Sequence, residues 1–378
     1  MENNNSVCFV AKIEEIKPIE GADNIELSII GGWNCITKKG EYKPGDLVVC
    51  ATTDAVIPQA LSDAIGVTSY LRKGQRVRTV KLRGVYSECL IIPTPKSSKY
   101  TEGQDLMKEL GIVKYEPPVV QIQLASGKKI RFTQNPNFHV YYKFPNLKNV
   151  KGMFTEEDDV QITVKIHGTN ARYSFSKKSK LTIFDKIKLF LNNKFGWGGY
   201  NWEWCDYEYL IGSHNVIKGS DTAGFYSTDV WLEISNKYDI KNKILDVVHP
   251  QSKLLIGSGV TIYGEIFGPG IQKNYDYNLK ELKFEIFDIT VDNNYLGTED
   301  TELVSSMFPL PHVEILYEGK WNQAIQDKFT FGRFIEGTKI PHEGIVIKEI
   351  TGDRRKVAKV INPSYLIYGE KHDVGDSH

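Results

Sequence analysis

The chain has 378 residues, 41% hydrophobic and 25% charged, with 47 basic and 47 acidic side chains and a formal net charge of zero. This composition supports a sizeable core and two or three domains of ordinary size. It excludes a chain coated in positive charge, while leaving room for a local basic groove balanced by acids elsewhere.

The N-terminal stretch "MENNNSVCFVAKIEEI" is polar and soon acidic, without the apolar centre of a signal peptide. No run of roughly 18 apolar residues occurs, so no membrane span is expected. Cys8, Cys35, Cys50, Cys89 and Cys205 form no Cys-x-x-Cys pair. A disulfide framework or cysteine zinc site is therefore not expected, and an intracellular, reducing compartment, cytoplasmic or nuclear, fits better.

Residues 7–93 read as short strands, among them "VCFVAKIEEI", "DLVVCATTDAVIP", "RVRTVKLRG" and "CLIIP", separated by glycine turns. About five strands so spaced predict a small closed or nearly closed β-barrel. Within it, "YLRKGQRVRTVKLRGVYS" places Arg76 and Arg78 on one face of a strand, and Lys81 and Arg83 likewise. The strip is either a solvated face or a phosphate-contacting one; cations interleaved with aromatics suit a groove that tracks a nucleic-acid strand. "SKKSKLTIFDKIKLF" is a second cationic region. Residues 94–125 are looser, so the expected division is 1–98 for the barrel, 99–128 for a linker and 129–378 for a second domain. The second domain mixes strands and helices without a βαβ rhythm, which predicts an α+β fold with largely antiparallel sheets.

In that domain "ITVKIHGTNARYSF" puts Lys165 inside an apolar strand before a turn. A buried ammonium is costly, so either the stem lies along the sheet or the amine is wanted in a pocket. Further segments follow: "TIYGEIFGPG" with Glu265, "LKFEIFDIT" with Phe284, Phe287 and Asp288, "PHEGIVIKEI" with Glu343 and Lys348, and "RRKVAKVINPSYL" with Lys356 and Lys359. Singly, Glu265 reads as a solvated strand residue, the phenylalanines as core and the lysines as a wet face.

In order, Lys-x-His-Gly, Tyr-Gly-Glu, Phe-x-x-Phe-Asp, Glu-Gly-x-Val-x-Lys and a terminal lysine cluster resemble motifs I, III, IIIa, IV and V of the covalent nucleotidyltransferase superfamily of ligases and capping enzymes. "KIHGTN", together with the N-terminal "IKPIEGADNIELSIIGGWNCITKKGEYKPGDLVV", resembles nick-sealing RNA ligases of the Deinococcus and Naegleria type, which carry an OB-type domain ahead of the catalytic one.

The resemblance implies an ATP-dependent RNA ligase with an OB-like N-terminal barrel and an antiparallel-sheet adenylyltransferase domain. Lys165 would attack the α-phosphate of ATP, its amine favoured in the neutral form by desolvation and neighbouring cations. AMP would pass to a 5′-phosphate, and a 3′-OH would then seal the strand. Lys348, Lys359 and Lys356 would bind phosphates, and Glu343 a Mg²⁺ or Mn²⁺ ion. Glu265 would hold the ribose or a metal-bound water, and Phe287, or alternatively Phe284, would stack on adenine. Ile166, His167, Gly168, Asn170 and Arg172 would line the nucleotide site. His167 and His342 fit no zinc spacing and read as structural.

Two departures stand out. Val164 occupies a position where RNA ligases often carry glutamate, and "IGSHNVI" offers Ser213-His214-Asn215 without the usual arginine, a role left to Arg172. The implied partner is RNA, or an RNA-containing duplex with a 5′-phosphate, bound by a monomer. A DNA ligase, a GTP-dependent capping guanylyltransferase and a degenerate nucleic-acid-binding protein are the alternatives.

Overall fold

The computed structural model describes all residues except 1–5, 73, 94–98, 116–134, 151, 196–204, 215–216, 218–228, 249–256, 299–308, 351–354 and 375–378. Asn215 and residues 116–128 of the expected linker thus lie outside the described residues.

The N-terminal domain is built on a five-stranded antiparallel sheet in the order β3-β2-β1-β4-β8. Its strands are β1 (Cys8–Pro18), β2 (Ile25–Ile30), β3 (Trp33–Lys38), β4 (Leu47–Thr52) and β8 (Cys89–Ile92). β1 is long enough to serve both neighbours because a register shift between Ile13 and Glu15 bends it from β4 towards β2. The sheet curls until its ends meet: Glu88 N–H donates to Asn34 O at 2.7 Å, and Ile36 N–H to Ser87 Oγ at 3.0 Å. The result is the nearly closed barrel expected from the strand spacing.

Two short ribbons complete this part: β5 (Ala55–Val56) with β9 (Val113–Lys114), and β6 (Val80–Leu82) with β7 (Val85–Ser87). Leu106 and Ile112 are buried in the same cluster as Val10, Val49 and Ile92. Packing of the first domain therefore continues through residue 114, past the composition break at 98. A four-residue helix and a two-residue strand are too short to register as periodicity.

The second domain holds two antiparallel sheets. The four-stranded one, in the order β16-β10-β17-β18, comprises β10 (Asp159–Lys165), β16 (Ile315–Lys320), β17 (Gly344–Glu349) and β18 (Val357–Ile361). The five-stranded one, in the order β12-β11-β13-β14-β15, comprises β11 (Thr169–Lys177), β12 (Tyr207–Gly212), β13 (Gly259–Phe267), β14 (Lys283–Val291) and β15 (Asn294–Tyr295).

Each sheet buries its outer face under helices. Ala171, Tyr173, Ile262, Ile266, Phe284 and Ile286 pack against the helices Val230–Lys237 and Ile240–Val248. Val160, Ile162, Ile345, Ile347 and Val360 pack with Phe154 and Ile325, the latter on the helix Gln323–Thr330. Each buried Val, Ile or Phe among them contributes on the order of 1.5–3 kcal/mol. The inner faces are polar and look towards each other across a cleft. Among the described residues no helix is long and apolar enough to cross a membrane.

Candidate active site

Strand alternation decides which side chains enter the cleft. On the four-stranded sheet, Lys165 pairs with Gly344, Gln161 with Lys348 and Val346 with Lys359, so Gln161, Thr163, Lys165, Val346, Lys348 and Lys359 share the inner face. On the five-stranded sheet, Asn170 pairs with Glu265 and Arg172 with Tyr263, and Tyr263 in turn pairs with Asp288.

At one end Lys165 Nζ donates to Glu343 Oε1 at 2.6 Å, and His167 Nδ1 lies 3.8 Å from Glu343 Oε2. That second oxygen is buried without a hydrogen-bond partner, as is Asn170 Oδ1. Glu265 is buried enough that its carboxyl is pushed up to about 8; Lys165 opposes the shift and Glu343 reinforces it. The Lys359 amine is lowered, first by burial and then by Lys165, with Glu343 opposing. Two carboxylates and two amines are thus concentrated at one spot.

Glycine makes the spot possible. A Cβ on Gly168 would lie 2.3 Å from Ile266 O and 2.8 Å from Glu265 Cγ, so the turn after Lys165 can press onto β13 only without a side chain. Ile166 points away from the cleft into a cluster with Tyr275 and Tyr365. The buried His167 ring packs edge-on against the same two tyrosines, at 5.0 and 5.2 Å.

The other end lies about 13 Å along the strands, four residues from Lys165 at ~3.3 Å each. There Lys348, 4% exposed, donates to Phe287 O and sits 3.7 Å from Asp288 Oδ2. Asp288 is fully buried and also accepts from Arg355 and, at 2.7 Å, from Tyr141 OH. Burial lowers the Lys348 amine, with Asp288 opposing. Phe287 is half-buried beside Tyr141, ring centroids 4.9 Å apart. Arg172 is 2% exposed, donates to Ser213 O and Phe138 O at 2.9 and 2.7 Å, and is lowered to about 10 by burial.

Several expectations need correcting. Phe284 is fully buried in the outer core, its ring edge-on to Tyr173 at 5.4 Å, with no face open to a base; a Cβ on Gly264 would strike it at 2.3 Å. Phe284 and Phe287 are three residues apart and so point to opposite faces. Lys356 and Lys359 are split in the same way. Lys356 lies outside the cleft, held by Asp158 at 2.7 Å and Glu349 at 2.9 Å.

The basic strip is not one strand. Arg76 is tied to Asp54, Arg78 is bonded to Glu370 at 2.8 Å, and Arg83 lies in the β6–β7 turn at φ 48°, off the face of Lys81. The second cationic region runs from the end of β11 into the helix Ile183–Phe195, and Lys178, ahead of that helix, pairs with its buried Asp185 at 3.0 Å. The roles of Arg355, Asp288 and Tyr141 were missed; Tyr141 lies on a segment without regular structure.

Among the described residues no group of three or more His, Cys, Asp or Glu side chains is placed to hold a metal unaided. Glu343 and Glu265 nevertheless fit a hard divalent ion that takes its other ligands from phosphates and water. Glu343 in particular keeps a buried, unpartnered oxygen.

A model of the RNA ligase family matches residues 158–361, and one described as an OB-fold domain matches residues 7–94. No curated protein gives a significant match. Solved structures of Naegleria gruberi RNA ligase share the fold. A variant with ATP and Mn is 23% identical, covering 97% of this chain and 99% of that one at a TM-score of 0.66. A variant with AMP and Mn is 23% identical, covering 98% and 99% at 0.67, and the protein with PPi is 22% identical, covering 98% and 99% at 0.66. Because the family model spans more than half of the chain and takes in every strand from β10 to β18, the protein belongs to the RNA ligase family.

Proposed function

We propose that the protein is an ATP-dependent RNA ligase that joins a 3′-OH to a 5′-phosphate through a lysyl-N–AMP and an adenylylated 5′ end. The observation that carries this reading is the Lys165–Glu343 pair, with Lys359 and Glu265 beside it.

The chemistry follows from the geometry. Glu343 holds the Lys165 amine at the mouth of the turn. Once the amine has given one proton to solvent, its lone pair forms the bond to the α-phosphorus as the bond to the β-phosphate oxygen breaks; pyrophosphate leaves, and the nitrogen passes its second proton to water or to the leaving pyrophosphate. Phosphoryl transfer needs in-line placement and charge neutralisation above all. Lys359, next to Lys165, meets the phosphates. Glu343 and Glu265 would hold a divalent ion, Mg²⁺ or Mn²⁺. When bound, that ion supplies positive charge against the non-bridging phosphate oxygens. Asn170, with its unpartnered oxygen, faces the ribose, and Phe287 offers the base its half-buried ring. Lys348 sits at the base end and acts on the base rather than on the triphosphate.

Lys81 and Arg83, exposed on the β6–β7 hairpin, would meet an RNA backbone directly, whereas Arg76 and Arg78 are held by Asp54 and Glu370 in the RNA-free protein. We place the protein as a monomer in a reducing compartment, where its five buried thiols stay free; repair of broken RNA suits this chemistry. The test is incubation with α-³²P-labelled ATP or GTP and with matched nicked duplexes carrying RNA or DNA on each strand. Labelling by ATP alone and sealing of an RNA 3′-OH are expected. Preference for GTP would make it a capping enzyme, and labelling without sealing would leave a nucleic-acid-binding adenylyltransferase.

A further inference from the structure

The two domains touch through charge. Arg78 Nη1 donates to Glu370 Oε1 at 2.8 Å, a contact 292 residues apart in sequence. Arg78 Nε donates to Tyr70 O at 2.9 Å, which fixes the guanidinium plane. The edge left over meets a carboxylate, and the same edge fits a phosphate equally well. The side chains are 35% and 24% exposed, so a competitor in solution can reach them. Beside them, Lys81 lies over the Tyr86 ring at 4.7 Å, and Tyr86 OH shares a hydrogen bond with Ser364 Oγ. Glu370 and Ser364 belong to one helix, Pro363–His372, which follows the strand of Lys359 directly.

We propose that Glu370 acts as an internal stand-in for an RNA phosphate: it occupies Arg78 in the RNA-free protein, and the incoming backbone must displace it. The inference rests on the ligase reading for its substrate. The Tyr86–Ser364 bond need not break to free Arg78, so it can keep the domains in contact through the exchange. Breaking an ion pair in order to make one releases little net counter-charge, so in the wild type Arg78 adds little to the salt dependence of binding.

The test measures binding of a nicked RNA duplex across a salt series for wild type, Glu370→Gln, Arg78→Gln and the double variant. Glu370→Gln is expected to tighten binding about two- to fivefold, the worth of a partly exposed pair. It should also steepen the slope of log K against log salt by about 0.9, one further phosphate contact. Arg78→Gln alone should cancel both effects, so the double variant should bind like Arg78→Gln. The proposal is overturned if Glu370→Gln changes neither affinity nor slope. It is also overturned if the double variant still binds more tightly than Arg78→Gln, which would make the effect one of general charge. Labelling with ATP on the same samples separates the two readings. A wild type that takes no AMP sinks the ligase assignment, whereas normal labelling with a silent Glu370→Gln sinks only this exchange.

Discussion

The two ends of the catalytic cleft are built from the same strands and yet differ in how their charges are answered. At the Phe287 end the buried Asp288 carboxylate is met by Arg355, Tyr141 and Lys348. At the Lys165 end Glu343 keeps an unpartnered oxygen, Glu265 is pushed up to about 8, and Lys359 is lowered. The carboxylate at the Phe287 end is answered even though Arg355 Nη1 beside it is buried without a hydrogen-bond partner, and a buried carboxylate so answered makes the structure around it rigid. An unsatisfied one stores electrostatic cost that a charged substrate relieves, which is why perturbed groups gather at reactive sites.

The sharpest break of this comparison is Lys165→Ala. It should lower labelling by α-³²P-ATP by a factor on the order of 10⁴ or more, as expected for a lost nucleophile. The variant should still seal RNA whose 5′ end is already adenylylated, because the amine acts only in the first step. Full labelling of the variant would place the nucleophile elsewhere.

Next in size are the partners of that amine. Glu343→Ala and Lys359→Ala should each reduce labelling about 10²- to 10³-fold, the scale of a lost electrostatic stabiliser. Glu343→Gln should recover little of this, and EDTA should silence the wild type. Lys356→Ala should change labelling less than about threefold, since its ion pairs with Asp158 and Glu349 lie outside the cleft. A comparable loss in both lysine variants would mean that the strand presents its lysines differently.

That contrast also shows how far the sequence could be read. The ordered motifs locate Lys165, Glu265, Glu343 and Lys359 because their chemistry constrains them. Parity alone separates Lys356 from Lys359 and Phe284 from Phe287, since an odd offset on a strand changes face. Asp288 and Arg355 were harder, because a buried carboxylate owes its partners to tertiary contacts from residue 141 to residue 355. Arg83 was read as strand because its left-handed φ of 48° leaves no mark in composition. The barrel was legible from strand spacing, while its extension to residue 114 rests on elements too short to show a period.

The Phe287 end should answer in stability more than in rate. Asp288→Ala leaves Arg355 and Lys348 without their counter-charge, a change that typically costs about 3–5 kcal/mol. The melting temperature should fall by on the order of 10 °C. A variant that melts within a degree or two of the wild type would show that this network is not what holds the two sheets together.

The smallest effect concerns Glu285, which pairs across the strands with Glu265. Burial raises its carboxyl to about 7 from an ordinary 4.5, with Lys283 opposing and Glu314 adding to the shift. The folded chain therefore binds this proton more tightly than the unfolded chain does. Below about pH 4.5 both states hold it, and its contribution to stability is complete. Between pH 4.5 and 7 the unfolded state loses the proton first, so stability must fall as pH rises. Above pH 7 the loss is complete. Glu285→Gln removes a group that must ionise inside the fold, so its melting temperature should decline less from pH 5 to 7 than that of the wild type. The corresponding difference in unfolding free energy should be on the order of 1–2 kcal/mol after solvent screening. Glu265 shifts in the same direction, with its value near 8, so the variant should keep a residual decline that extends past pH 7. Parallel curves for variant and wild type would show that Glu285 ionises freely, and the excess charge of the reactive end would then be confined to Glu265, Glu343 and the two lysines.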